Sequence, residues 1–321
     1  MELKEKINDI INDLTNITDT IIIYNNTENN FVLEKINNNK EIKTKEFINN
    51  NKVLLDNLNK NIENTYREKI IEFIKTLDSK LNHCNFDILN NNITSIKIIN
   101  KISLLFGMSI LAAYNTLENK LYLKKKNYEI TMPHELLHMA SSKKLDSYIC
   151  SGFRYTNIKK FESFGTFINE GFTEYLNNEY FNCTDYYKIN KTFTEIISII
   201  IGKDLMEKMY FNADLVGLIN EFMKYNNSLE DVIKFIINTD IIHKNLFKLS
   251  IKKRIKLKKA LLEVNKFLIH TYYEKVKIYA KDEYEIDFAM KIFISLLKTI
   301  KLDIGFNDKN INEYKEKKLT L

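Results

Sequence analysis

Helical periodicity dominates the apolar and polar positions of this chain. Leu3, Ile7, Ile10, Ile11 and Leu14 recur at intervals of three and four, as do Ile70, Ile71, Phe73, Ile74 and Leu77. Residues 1–100 therefore read as a helical region. Asn clusters at 25–30, 37–39, 49–51 and 90–92 punctuate it as loops. From 103 to 130 the character changes. An apolar run over 104–113 precedes Asn115-Thr-Leu-Glu-Asn-Lys and then Leu121-Tyr-Leu. Strands at 111–115 and 120–124 fit this segment, and a helix reaching Ala113 competes for its first part. Thr131 is a candidate N-cap, with Pro133 two positions on, where a missing N–H does little harm. The helix it starts should fade after Ser142. Residues 148–155 look extended, and Gly165 precedes a helix running to Phe181. Regular apolar stripes then predict helices at 191–201, 204–225, 229–247, 254–279 and 283–301, whose stripes read as core.

The sum is a mainly α (α+β) chain in three regions. A helical N-terminal region of unknown role covers 1–100, a small-sheet region 101–190 and a C-terminal helical bundle 191–321. Composition supports this class. Only 7 Gly and 1 Pro occur in 321 residues, far below the roughly 12% of average usage that turn-rich sandwiches and barrels need. The 42 Asn supply the loops instead.

Charge narrows the partners. There are 48 basic and 42 acidic residues, a net of +6, but only three arginines, Arg67, Arg154 and Arg254. Base-edge and phosphate recognition favour the arginine fork, so no nucleic-acid partner is expected. The basic run over 252–259 reads as the solvated face of a helix. Cys84, Cys150 and Cys183 are odd in number, far apart and without a CxxC, which fits a reducing compartment. The N-terminal MELKEKINDIINDL carries charge from its start and has no apolar core, so no leader is read there. The longest apolar run is too short to span a bilayer. A cytoplasmic location is the expectation, with oligomeric state open.

Against this plain background one pentad stands out. His134-Glu135-Leu136-Leu137-His138 is an HExxH in a chain with five histidines. On a helix, positions i and i+4 share a face, so the two imidazoles converge. Imidazole nitrogen suits Zn²⁺, and Glu135 lies beside the metal, placed to take a proton from water. A catalytic zinc takes three protein ligands. No His follows until His243, so an HExxHxxGxxH arrangement is absent. The candidate third ligand is Glu170, in Asn169-Glu-Gly-Phe-Thr-Glu-Tyr175. Glu174, one turn on, is placed to accept a hydrogen bond from the free N–H of a ligating histidine, His134. Gly171 between them costs about 1 kcal/mol in a helix that does not need it, which sets this helix apart.

HELLH followed by NEGFTEY resembles the gluzincin metallopeptidases. NEGF is similar to the third-ligand motif of the zinc aminopeptidases, and the Glu170–Glu174 spacing is similar to that of thermolysin-like enzymes. The resemblance implies a zincin-like core, Zn²⁺ on His134, His138 and Glu170, Glu135 as general base, and a peptide or protein substrate. It covers about 50 to 70 residues. Two features depart from the pattern. The 31 residues between His138 and Glu170 exceed the gap of thermolysin and the aminopeptidases and approach that of the clostridial neurotoxin light chains. A GxMxN substrate-amine motif is missing before HELLH, which departs from the aminopeptidase pattern and leaves the choice between endo- and exopeptidase open. The resemblance also implies an edge strand along the cleft, assigned to Leu121-Tyr122-Leu123, onto which an extended substrate adds.

Peptide hydrolysis also needs a group that stabilises the oxyanion. Arg154 and Tyr155, between the two motifs, are the leading catalytic candidates, with Tyr175, Tyr210 and His243 behind them. A catalytically silent zinc-binding protein with the same ligands is the alternative. His83 beside Cys84 reads as an incidental pair, and Cys150 and Cys183 as small core residues.

Overall fold

A computed structural model describes residues 3–17, 20–25, 30–35, 58, 62–80, 83–99, 112–124, 128–183, 187–246 and 251–299. It is mostly helical with small sheets, in line with the mainly α class. Two compact units divide the chain, 1–221 and 222–321.

In the first unit, α1 (Leu3–Ile17) buries Ile7, Ile10, Ile11 and Leu14 of the stripe read from the sequence, while Leu3 in its first turn is exposed. The all-helical reading of 1–100 then needs correction. Strands β1 (Thr20–Asn25) and β2 (Asn30–Lys35) pair antiparallel. The β-branched run Ile21-Ile22-Ile23 ahead of an Asn-rich segment is a sequence signal for paired strands that outweighs the helical prior. Next come α2 (Asn64–Lys80) and α3 (Phe86–Ile93). The Asn cluster at 90–92 is part of α3 and not a loop. Asn85 caps that helix by accepting from Ile88 N–H, and Asn92 Nδ2 donates to the carbonyls of Met139 and Ser142 at 2.7 and 2.6 Å. The clusters at 37–39 and 49–51 and most of the 104–113 run lie outside the described residues.

A three-stranded sheet follows in the order β3 (Lys97–Ile99), β5 (Lys120–Leu123), β4 (Ala112–Asn115). β4 and β5 form the expected hairpin. The edge-strand assignment of Leu121–Leu123 is overturned. β3 adds to β5 in parallel, so β5 is the middle strand and, among the described residues, β4 is an edge.

Helix α4 (Tyr128–Ala140) carries HELLH. It begins ahead of Thr131, so Thr131 is not its N-cap and Pro133 sits inside it. The Tyr128 ring meets Tyr66 of α2 edge-on at 5.1 Å, a tertiary contact that sequence signals for capping do not carry. After α4 comes a four-stranded antiparallel meander, β6 (Ser142–Lys144), β7 (Tyr148–Ser151), β8 (Arg154–Asn157) and β9 (Glu162–Phe164). The extended segment at 148–155 is thus a hairpin turning at Gly152 and Phe153. Gly152 has φ +53°, and a Cβ there would strike Asn169 and Tyr210, so both conformation and space demand glycine.

Helix α5 (Thr166–Phe181) carries NEGFTEY. It packs on α6 (Lys188–Ile201) so closely that a Cβ on Gly171 would meet the Asn190 carbonyl. That contact is why this helix tolerates a glycine. One helix was expected over 204–225, and the chain forms two: α7 (Lys203–Phe211) and α8 (Leu215–Met223). Ala213 adopts φ +51° between them, and Asp214 Oδ1 accepts from Gly217 N–H at 2.7 Å to start α8.

The second unit holds α9 (Leu229–Asn245), α10 (Ile251–Tyr279) and α11 (Glu283–Thr299), close to the expected spans. Phe222, Phe235 and Phe267 interlock in its core. Lys253, Arg254, Lys256, Lys258 and Lys259 are exposed on α10, a solvated helix face. Among the described residues no helix is long and apolar enough to cross a membrane.

Candidate metal centre

Two helix faces build the site. On α4, His134 and His138 stand one turn apart, and both are buried. On α5, two parallel rows face them: Asn169 with Thr173, and Glu170 with Glu174. Each row is an i, i+4 pair, and the two rows are offset by one residue.

The ring nitrogens His134 Nε2 and His138 Nε2 lie 3.2 Å apart. Each is 3.4 Å from Glu170 Oε2. The three atoms form a nearly equilateral triangle, and these residues could hold a metal ion. Without an ion, Glu170 and the rings form a buried ion pair. Burial would raise the Glu170 carboxyl, but the His138 and His134 rings outweigh it and hold it well below the usual range. Burial pulls the His134 imidazolium down, but hydrogen bonds to Glu170 and Glu174, with the Glu135 charge nearby, carry it up to about 10.

The far side of each ring is held too. His134 Nδ1 donates to Glu174 Oε2 at 2.9 Å, and Glu174 is 1% exposed. His138 Nδ1 lies 3.3 Å from Asn169 Nδ2 and 3.5 Å from Thr173 Oγ1. Asn169 Oδ1 accepts from Phe153 N–H, which turns its amide N–H₂ towards the ring. Asn169 and Thr173 thus hold the His138 ring from its Nδ1 side. Thr173 in turn meets the Tyr210 hydroxyl at 2.7 Å. Asn169, Thr173 and Tyr210 were not given this role from sequence. The offset of Asn169/Thr173 against Glu170/Glu174 was the available signal.

Glu135, half-buried, accepts the backbone N–H of Tyr114 on its Oε2 at 2.7 Å. The edge strand β4 therefore fixes the carboxylate beside the triangle. No side-chain pattern could have announced a backbone donor. The ring of Tyr187, just ahead of α6, tilts over His134 at 5.7 Å between centroids and was also missed.

The remaining candidates separate. Arg154 Nη1 lies 3.8 Å from Glu170 Oε1, at the edge of the triangle. Tyr155 does not join it, because successive strand residues point to opposite faces. Its ring packs against Tyr148 and Phe164. On that same face Tyr148 and Asn157 bond to Asp13 of α1. Tyr210 stands behind His138 rather than in front of the triangle. Tyr175 stacks on Phe172, with Lys203 over its ring. His243 belongs to α9 in the second unit. His83 Nε2 bonds Asp204 Oδ1 at 2.7 Å. The three cysteines are free, and burial lifts the Cys150 thiol to about 11.

Comparison with protein-family models, curated proteins and solved structures returned no match.

Proposed function

We propose that this chain is a zinc metallopeptidase of gluzincin type with a zincin-like core. His134, His138 and Glu170 hold the metal. The observation that carries the reading is the triangle of donor atoms. Tetrahedral zinc with bonds of about 2.05 Å sets its ligands about 3.3 Å apart. An octahedral ion with bonds of about 2.1 Å sets adjacent ligands about 3.0 Å apart. The edges of 3.2 and 3.4 Å fit the tetrahedral case. Two imidazoles and one carboxylate also match the donor set of catalytic zinc, which leaves one position open.

A zinc ion bound here supplies an electrophile for a peptide carbonyl and makes water more acidic. The protein supplies the rest. Glu174 keeps the His134 ring proton on Nδ1, so that Nε2 lone pair faces inward, and Asn169 and Thr173 hold the His138 ring from behind. Glu135, positioned by the Tyr114 amide, takes the proton of the attacking water and delivers it to the leaving amine.

Burial of all three ligands to 6–8% exposure favours a second reading, a zinc-binding protein without turnover. A peptide library incubated with the zinc-loaded chain decides between them. The peptidase reading expects cleavage that chelator stops and zinc restores. It also expects Glu135→Gln to lose about 10²-fold or more in kcat while retaining zinc. Full activity in Glu135→Gln would refute the base assignment, and stable zinc without any cleavage would favour the second reading.

A further inference from the structure

Ser151 and Arg154 face one another across the β7–β8 hairpin. Each buries a polar atom without a hydrogen-bond partner, Ser151 Oγ and Arg154 Nε. Directly opposed residues of an antiparallel pair share a face, with Cβ atoms about 4.5–5.5 Å apart. That face adjoins the metal triad, because Arg154 Nη1 reaches to 3.8 Å from Glu170 Oε1. A separation of this size is too long for a hydrogen bond. Glu170 is also a poor counter-charge for Arg154, since its other oxygen is shared by two imidazoles at 3.4 Å. The result is a guanidinium with 26% side-chain exposure and unspent donors beside an unspent hydroxyl.

Buried cations are normally paired and buried donors normally satisfied. A partly exposed guanidinium with no carboxylate at hydrogen-bond distance among the described residues suits an anionic ligand. The planar guanidinium matches a carboxylate in particular, with two parallel N–H···O bonds. We propose that Arg154, through the exposed part of its guanidinium, binds a carboxylate of the substrate. The substrates are then peptides with an acidic side chain or a free C-terminus next to the bond that is cut. This rests on the metallopeptidase reading and makes Arg154 a specificity residue rather than an oxyanion donor.

The test uses the full zinc-loaded chain and peptide pairs matched except for one group. One pair carries Asp or Asn beside the cut, and the other a free or an amidated C-terminus, so the source of the carboxylate is read directly. Charge-assisted hydrogen bonds predict a preference of roughly 10- to 100-fold in kcat/KM for the acid in one pair, expressed in KM. Arg154→Gln should bring that ratio to about one, and Arg154→Lys should restore part of it. A second arm needs no turnover. Succinate titrated into the zinc-loaded chain should bind roughly tenfold tighter than propionate, and Arg154→Gln should erase the difference. Zinc content and thermal midpoint establish that each variant is folded. Equal binding of the two acids by the unaltered chain, or a preference that survives Arg154→Gln, overturns the anion site. If no peptide is cleaved, the peptidase reading fails, and the succinate comparison still decides the anion site.

Discussion

Replacing Glu174 tests whether the buried contacts behind the triangle set its affinity for metal. Its Oε2 accepts from His134 Nδ1 at 2.9 Å, and the side chain is almost wholly shielded. The carboxylate decides which ring nitrogen carries the proton and leaves the Nε2 lone pair for the metal. Partners of this kind are worth about 10- to 100-fold in affinity, or about 1.4–2.7 kcal/mol. Gln in place of Glu keeps an acceptor but removes the charge, and charge-assisted bonds are roughly twice as strong as neutral ones. Glu174→Gln is expected near the lower end, about tenfold. Glu174→Ala leaves the Nδ1 proton buried without an acceptor. It should approach about 100-fold and destabilise the metal-free chain by about 1–3 kcal/mol. Competition against a chromophoric chelator at fixed pH measures the affinity, and denaturant unfolding measures the stability. Glu179→Gln is the control, since Glu179 lies on the same helix but pairs outward with Lys203. Zinc affinity in Glu174→Ala within about twofold of the unaltered chain would refute the reasoning.

Three further outcomes are expected. Glu170→Ala removes one corner of the triangle and should weaken zinc by more than the roughly 100-fold limit of the outer contacts, read in the same chelator competition. Because the His134 pKa is carried up to about 10, zinc must displace a proton at neutral pH. Affinity should therefore rise about tenfold per pH unit between pH 6 and 8, with one proton released per zinc in calorimetry across buffers of different ionisation enthalpy. In the metal-free chain the sign is reversed, because the protonated ring stabilises the fold at low pH and loses that contribution as pH rises through about 10. Gly171→Ala forces a Cβ against the Asn190 carbonyl and should cost about 1–3 kcal/mol by denaturant midpoint. An unchanged midpoint would mean that α5 and α6 are not so tightly apposed.

The candidate metal triad was legible because its geometry is helical. His134 and His138 at i, i+4, and Glu170 and Glu174 at i, i+4, define two faces without any tertiary knowledge. Helix positions were similarly readable where apolar stripes were regular, as in α9 and α11. What failed depended on contacts distant in sequence. Tyr66 supports the first turn of α4 ahead of Thr131, and Asn92 is drawn into a helix whose end ties down Met139 and Ser142. The edge strand was misplaced because only pairing shows that β3 occupies the other side of β5. Arg154 and Tyr155 were inseparable as neighbours in sequence, and the strand's alternation parts them. Gly171, which sets α5 apart in the sequence, is explained by helix packing.

Zinc K-edge absorption combined with metal analysis of the full chain, stripped and reloaded, addresses the central claim most directly. The account predicts one tightly held zinc per chain, with two imidazole nitrogens and one carboxylate oxygen at about 2.0–2.1 Å. It also predicts that the imidazole signature vanishes in His134→Ala/His138→Ala. A reloaded chain that retains no stoichiometric zinc, or one whose zinc is unaffected by losing both histidines, would contradict it.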